Sequence, residues 1–340
     1  MFVLIVTGMN NVVRCLQPPK QIRLSMQKLI FFIALQCMTP LNGAVHLVTN
    51  TNDSGVGSLR QAIVDANADE STPRTINFSI GSGVQLISPA SALPALTMPE
   101  IIIDGSTQPG WRAGNPVIII DGLVSDLRFD GITIDGASDC TIKDLVISNG
   151  FVHGITIKNS AHNNAIYNCF LGTDFTGTSA RANSIGIKVA AFNGHELTNT
   201  IIGGAALGNL ISGNTYIGIF LSGNVSNTVI QSNKIGTDVT GQFVLPNHAG
   251  IAIGTMPIDM SLHCSETQIG GMNAQEGNLI SGNTVGIIAG FETISDLTIE
   301  GNILGFNITG TFSLPNTKNI LTLQTAGSTI DGLLIQNNVS

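Results

Sequence analysis

Two aspartates recur in one context, Gly172-Thr-Asp174-x-Thr-Gly177 and Gly236-Thr-Asp238-x-Thr-Gly241, 64 residues apart. Carboxylates repeated at a strand end are candidate calcium ligands, with Asn214, Asn283 and Asn307 in related slots, although calcium takes about six to eight oxygens. The competing role is turn capping through the same oxygens. Asp104, Asp121, Asp135 and Asp331 each sit at the centre of an Ile-Asp-Gly triplet; this reads as a strand end that presents a nucleophile or as an ordinary Asp-Gly turn. His153, His162, His195, His248 and His263 share no common offset and read as surface loop residues. Trp111, in Thr107-Gln-Pro-Gly-Trp111, has a face suited to stacking on a sugar or packing on its own loop. No catalytic residue is assigned and no cofactor is expected, calcium at Asp174 and Asp238 being the weak metal candidate.

The elements that position these residues come from a repeat. Gly-Ile-x-apolar tetrads begin at Gly154, Gly186, Gly218, Gly250 and Gly286, spaced 32, 32, 32 and 36 residues apart, with an earlier match at Gly131. A longer period overlies it: Gly208-Asn-Leu-Ile-Ser-Gly-Asn214 returns as Gly277-Asn-Leu-Ile-Ser-Gly-Asn283, 69 residues on. Odd and even units therefore alternate. Short period-two strands between Asn and Gly turns imply about three strands per unit, stacked in parallel about 4.8 Å apart. Ile155, Ile187, Ile219, Ile251 and Ile287 form the inward column. The outward columns are Thr156, Lys188, Phe220, Ala252, Ile288 and Lys158, Ala190, Ser222, Gly254, Gly290. Neither holds a carboxylate, so polysaccharide cleavage is not expected there; Lys158 and Lys188 make a small basic spot. Asn233, Asn302 and Asn338, with Cys169 replacing Asn in an earlier unit, fall at one slot and read as a structural ladder.

Ahead of the repeat, Leu59, Ala62, Ile63 and Ala66 form the stripe of a short helix over 58–67, with Ser58 and Gln61 as a capping box. Its expected task is to cover the first coil, whose open strand edge would otherwise invite aggregation. Residues 26–44 read as a secretory signal: Lys28, the apolar run Leu29 to Leu35, then small residues at Gly43-Ala44. The run is too short to span a bilayer. The expected division is a mis-assigned upstream segment 1–25, the signal 26–44, an N-terminal cap 45–94 and a parallel β-helix 95–340 truncated at its C-terminus. Past the signal, Cys140, Cys169 and Cys264 show neither disulfide nor zinc spacing and read as small core residues.

The whole chain, at 340 residues, carries a net charge of −8 and only 11% charged residues. That balance argues against nucleic acid or an anionic membrane as partner. The mean hydropathy of +0.33 excludes a disordered chain. The 39 glycines and 5% aromatics suit a repeat better than a core built on large aromatic anchors.

Val48-Thr-Asn-Thr-Asn-Asp-Ser-Gly-Val-Gly-Ser-Leu-Arg-Gln-Ala-Ile63, Ile118-Ile-Ile-Asp-Gly122 and the later coils resemble bacterial right-handed parallel β-helix repeat proteins with a Cys-Ser-Leu-Arg-Glu-Ala type N-terminal motif. Gly57 stands for the Cys and Gln61 for the Glu. The resemblance implies an all-β, pectate-lyase-like solenoid, secreted or held at the cell surface or outer envelope. The function expected is that of a non-catalytic protein presenting loops for adhesion or for contact with envelope or glycan. The alternative is a polysaccharide lyase or glycoside hydrolase on the same fold. Expected partners are a polysaccharide or a host or envelope surface.

Overall fold

A computed structural model describes residues 43–122, 129–204, 207–254, 262–273, 275–324 and 328–340. Segment 1–25, nearly all of the 26–44 signal, Cys15, Cys37 and Arg128 lie outside the described residues.

Short apolar strands that end at Asn or Gly force a turn after every few residues, and each turn returns the chain onto its own preceding coil. Four sheets result, of ten, eight, seven and five strands; we label them A to D, the order in which each coil visits them. Coils 1 to 10 are numbered by their sheet A strands: Ala44–Val48, Arg74–Phe78, Ile101–Asp104, Thr141–Lys143, Ala165–Tyr167, Ile201–Gly203, Val229–Gln231, Gln268–Gly270, Thr298–Glu300 and Leu334–Gln336. Neighbouring strands in all four sheets pair in parallel, and the chain is a right-handed parallel β-helix. Sheet D is the element that about three strands per unit did not foresee. Its members, such as Leu197–Thr198 and Val225–Ser226, are too short to show alternation.

The inward register is as the tetrads require: Ile155, Ile187, Ile219, Ile251 and Ile287 are successive partners, all fully buried. Among the described residues, stacking starts at Ala44. Ala44–Val48 pairs with Arg74–Phe78, which pairs with Ile101–Asp104, so sheet A runs unbroken past residue 95, where the β-helix was expected to begin. Helix α1, Leu59–Ala68, buries Leu59, Ala62, Ile63 and Ala66 against the strands of coils 1 and 2. Only half of the capping box forms. Ser58 accepts from the Gln61 N–H at 3.1 Å, while the Gln61 side chain donates to Asp65 at 2.8 Å instead of reaching back.

The odd and even alternation has a physical cause. Between sheets B and C, coils 5, 7 and 9 carry long loops, 172–181, 236–245 and 305–314, whereas coils 6 and 8 turn tightly. Each long loop folds back over the coil before it: Asn149 donates to the Arg181 carbonyl, Gly213 to Leu245 and Gly282 to Leu314. The loops also stack on one another, Val239 donating to Gly177 and Ile308 to Gly241. A Cβ at Gly177 would come within 2.7 Å of Val239, and one at Gly241 within 2.9 Å of Ile308. Both glycines have φ of +68°, so the repeated Thr-Gly is required twice over.

Two asparagine ladders tie the corners. One runs Asn209, Asn233, Asn278, Asn302, Asn338, each donating its side-chain amide to the next side-chain oxygen at 2.9–3.0 Å, and Cys169 caps it by donating its N–H to Asn209. The other runs Asn214, Asn247, Asn283, Asn316. Cys140, Cys169 and Cys264 are free and buried. Burial pushes the thiol of Cys140 up to about 11 and that of Cys169 to about 12, so these are inert core groups.

Candidate functional site

Asp174 and Asp238 cap their own loops. Asp174 Oδ1 accepts from the N–H groups of Thr178 and Ser179, and Asp238 Oδ1 from those of Gln242 and Phe243. Asn307 accepts from Thr311 and Phe312 in the same way, so a neutral amide does this work equally well. Asn214 and Asn283 do not share that slot; they belong to the second ladder. Among the described residues no three His, Cys, Asp or Glu side chains are placed to hold a metal ion.

The Ile-Asp-Gly aspartates are not simple turns. Asp104 Oδ2 lies 2.8 Å from Lys143 Nζ, Asp135 Oδ2 lies 3.2 Å from Lys158 Nζ, and Asp121 accepts from the Asn149 amide at 2.9 Å, each partner one coil further on. Asp331 caps the Gly332 N–H.

On the outward face of sheet C, coils 3 to 5 bring together a cluster that the sequence columns missed. Those columns began at coil 4, but the strand Ile132–Asp135 of coil 3 is their first member, pairing Thr133 with Thr156 and Asp135 with Lys158. The column therefore does contain a carboxylate. Asp130, two residues before that strand, lies 2.7 Å from His153 Nδ1 and accepts from Thr156 Oγ1 at 2.7 Å. Burial opposes ionisation of Asp130, but the bonds from His153 and Thr156 and the charges of His153 and Lys188 outweigh it, holding the carboxyl below its usual range. His153 thus begins a strand and orients on an acid; it is no loop residue.

Lys188, next to Thr156 in register, completes the cluster. It is half-buried, and burial with the nearby Lys158 charge lowers its pKa while Asp130 opposes that shift. Its ammonium makes no ion pair or hydrogen bond among the described residues. The expected basic spot of Lys158 and Lys188 is thus offset by two carboxylates, Asp135 pairing with Lys158 at 3.2 Å and Asp130 lying near Lys188.

A second cluster lies on sheet A. Asp144, 3% exposed, sits beside the Asp104–Lys143 pair, Trp111 and Asn168. Burial first, then the Asp104 charge, pushes its carboxyl up to about 6. Trp111 packs here, on its own loop, rather than standing free. A cavity lined by Met272, Asn273, Gln275, Leu279, Ile308 and Asn337 is remote from both clusters and holds no ionisable side chain. No helix of the described residues is long and apolar enough to cross a membrane.

No family model and no curated protein matches the chain. Among solved structures, it is similar to the Dettilon tailspike protein, at 15% identity and TM-score 0.42 over 88% of this chain and 60% of the tailspike. It is also similar to an alginate lyase from Paenibacillus, at 12% identity and TM-score 0.42 over 87% of this chain and 99% of the lyase. A Streptococcus pneumoniae surface protein and adhesin, PfbA, matches at 10% identity and TM-score 0.39 over 85% of this chain and 94% of the adhesin. At such values these likenesses carry no argument about function, and the fold stands on the strand pairing itself.

Proposed function

We propose that the chain is an exported, surface-associated β-helix that binds an acidic polysaccharide, with Lys188 as the carboxylate-binding group. The observation behind this reading is Lys188 itself. A half-buried ammonium that makes no ion pair or hydrogen bond among the described residues has lost part of its hydration, which the charge of Asp130 offsets only through space, so a ligand carboxylate beside it is favoured more than at an exposed lysine. Polygalacturonate and alginate are the probes, read by affinity electrophoresis and calorimetry. Lys188→Ala should weaken binding about tenfold or more, Lys188→Arg should restore much of it, and added salt should weaken binding throughout. Unchanged binding in Lys188→Ala with an intact melting curve overturns the assignment.

A catalytic reading of the same face is favoured by one observation, the 2.7 Å contact of Asp130 with His153. A carboxylate on Nδ1 fixes the ring and leaves Nε2 as the atom that takes a proton, the arrangement general-base catalysis needs. Release of unsaturated uronides or of new reducing ends from either polymer, lost in His153→Ala, decides for it; binding with neither product decides for the binding protein.

Export rests on the 26–44 pattern. The protein recovered outside the cell should begin within a few residues of Val45, read by mass spectrometry; a terminus at Met1 or Met26 overturns it.

A further inference from the structure

We propose that two copies of this chain pair side by side through the long loops of coils 5, 7 and 9, with Phe243 and Phe312 as the anchors on each copy. The pairing stands independently of the acidic-polysaccharide reading above. Its first support is aromatic surface that the fold leaves unused. Other side chains pack the loops down: a Cβ at Gly177 would meet Val239, Leu210 and Phe170 together, and one at Gly241 would meet Ile308 and Leu279. Phe243 and Phe312, in matching loop slots, are instead 70% and 66% exposed, and Phe175 on the coil 5 loop is 41% exposed. Tyr216, at the tight turn of coil 6 between two of the loops, is 58% exposed. Neither anchor sits on a slack segment. Phe243 donates its N–H to Asp238 Oδ1 and Phe312 to Asn307 Oδ1, both at 3.1 Å, so the caps fix the backbone beneath each ring. Rings carried on a fixed backbone lose little freedom when a partner covers them.

The second support is charge and area, and both point to a second copy as the partner. In a chain of net charge −8, the loops 172–181, 236–245 and 305–314 hold only Asp174, Asp238 and Arg181 as charged residues. Both carboxylates accept N–H groups of their own loops. Two copies therefore repel each other least across this face. At about 150–250 Å² for a whole aromatic side chain, the four exposed rings offer about 500 Å² on each copy, and the pair about 1,000 Å², where specific interfaces begin. The loops recur on every second coil, about 9.6 Å apart at ~4.8 Å per coil. A second copy carries the same repeat, so one loop contact in register sets the others. A patch that meets itself closes by two-fold symmetry, and the product is a dimer. Such a pair presents two Lys188 clusters, and a polymer that reaches both is held more tightly than by one.

The test is sedimentation equilibrium of the whole chain from about 1 to 100 µM, where the parent should be a dimer with a dissociation constant of about 10 µM or tighter. Phe243→Ser combined with Phe312→Ser should raise that constant at least about tenfold with an unchanged circular dichroism spectrum, and Phe243→Leu combined with Phe312→Leu should keep most of the pairing. Val56→Ser, at a side chain 93% exposed on the turn before α1, should leave the constant unchanged. Added salt should preserve or strengthen the dimer, because it screens the repulsion between copies of like charge. A parent that stays monomeric at the highest concentration overturns the proposal. So does a dimer that survives the paired serine substitutions, or one that salt dissolves, since its interface then lies elsewhere.

Discussion

Ile219→Asp should lower stability by several kcal/mol, enough to shift the melting midpoint by about 10 °C or more. Ile219 is fully buried on coil 6, directly between Ile187 and Ile251 in register. A carboxylate there faces only aliphatic side chains above and below, so it either remains charged without a partner or takes up a proton at a cost. In a stacked solenoid each coil contacts mainly its neighbours, so the damage falls on two coil interfaces at once. Ile219→Val, which removes one methylene from the same slot, should cost only about 1 kcal/mol. Thermal melts followed by circular dichroism compare the two variants with the parent. Near-parental melting of the aspartate variant would show that position 219 does not point inward, and the register of sheet C would fall with it.

Much of this fold was legible because its core is a one-residue motif repeated at fixed phase. Gly-Ile-x-apolar states both the turn into sheet C and which side chain is buried, and a slip of one residue would turn every Ile outward. Helix α1 was legible for a similar reason, its stripe of Leu59, Ala62, Ile63 and Ala66 having the 3.6 period that the strands around it lack. Sheet D was not, since two-residue strands such as Leu197–Thr198 have no period to read. The ladders were half legible. Asn233, Asn302 and Asn338 each follow the sheet A strand of their coil by two residues, but Asn209 and Asn278 follow Ile201–Gly203 and Gln268–Gly270 by six and eight, and only the stacking shows that all five belong together.

The sheet C cluster was hidden by the same irregularity. Coil 3 reaches its tetrad only 23 residues before coil 4, so Asp135 read as a turn residue rather than the first rung of an outward column, and Asp130 carried no signal of its own. Their partners, His153 and Lys158, are each 23 residues further on, and the pairing becomes visible only once Ile132 is set against Ile155. Charge complementarity between coils leaves no local sequence signature, because it depends on residues that meet only after the chain has gone once around.

Asp144→Asn should stabilise the protein at neutral pH by up to about 3 kcal/mol and remove a pH dependence that the parent shows. Asp144 is buried beside Asp104, and its folded-state pKa of about 6 stands above the ordinary aspartate value of about 4. The folded chain therefore binds this proton more tightly than the unfolded chain does. The sign follows: below about pH 4 both states are protonated and the site is neutral to stability, between about 4 and 6 stability falls as pH rises, and above about 6 the full penalty of an ionised buried carboxylate is present. A gap of about two pKa units corresponds to about 3 kcal/mol as an upper bound, because Lys143 and residual solvent relieve part of it. The amide should fit without strain. Asp144 has φ of +59° and its neighbour one coil on, Asn168, has φ of +53°, so the slot already accepts Asn in the left-handed conformation. Denaturant melts of parent and variant from pH 4 to pH 8 isolate this group together with its coupling to Asp104 and Lys143, since the titrations of distant groups cancel in the difference. The gap should be near zero at pH 4, open through pH 5 and 6, and stay flat above 7. A variant equally stabilised at pH 4 and pH 8 would mean that the gain is packing and not charge, and a variant less stable than the parent at pH 7 would show that the ionised carboxylate is held by Lys143 and Trp111 strongly enough to offset its burial.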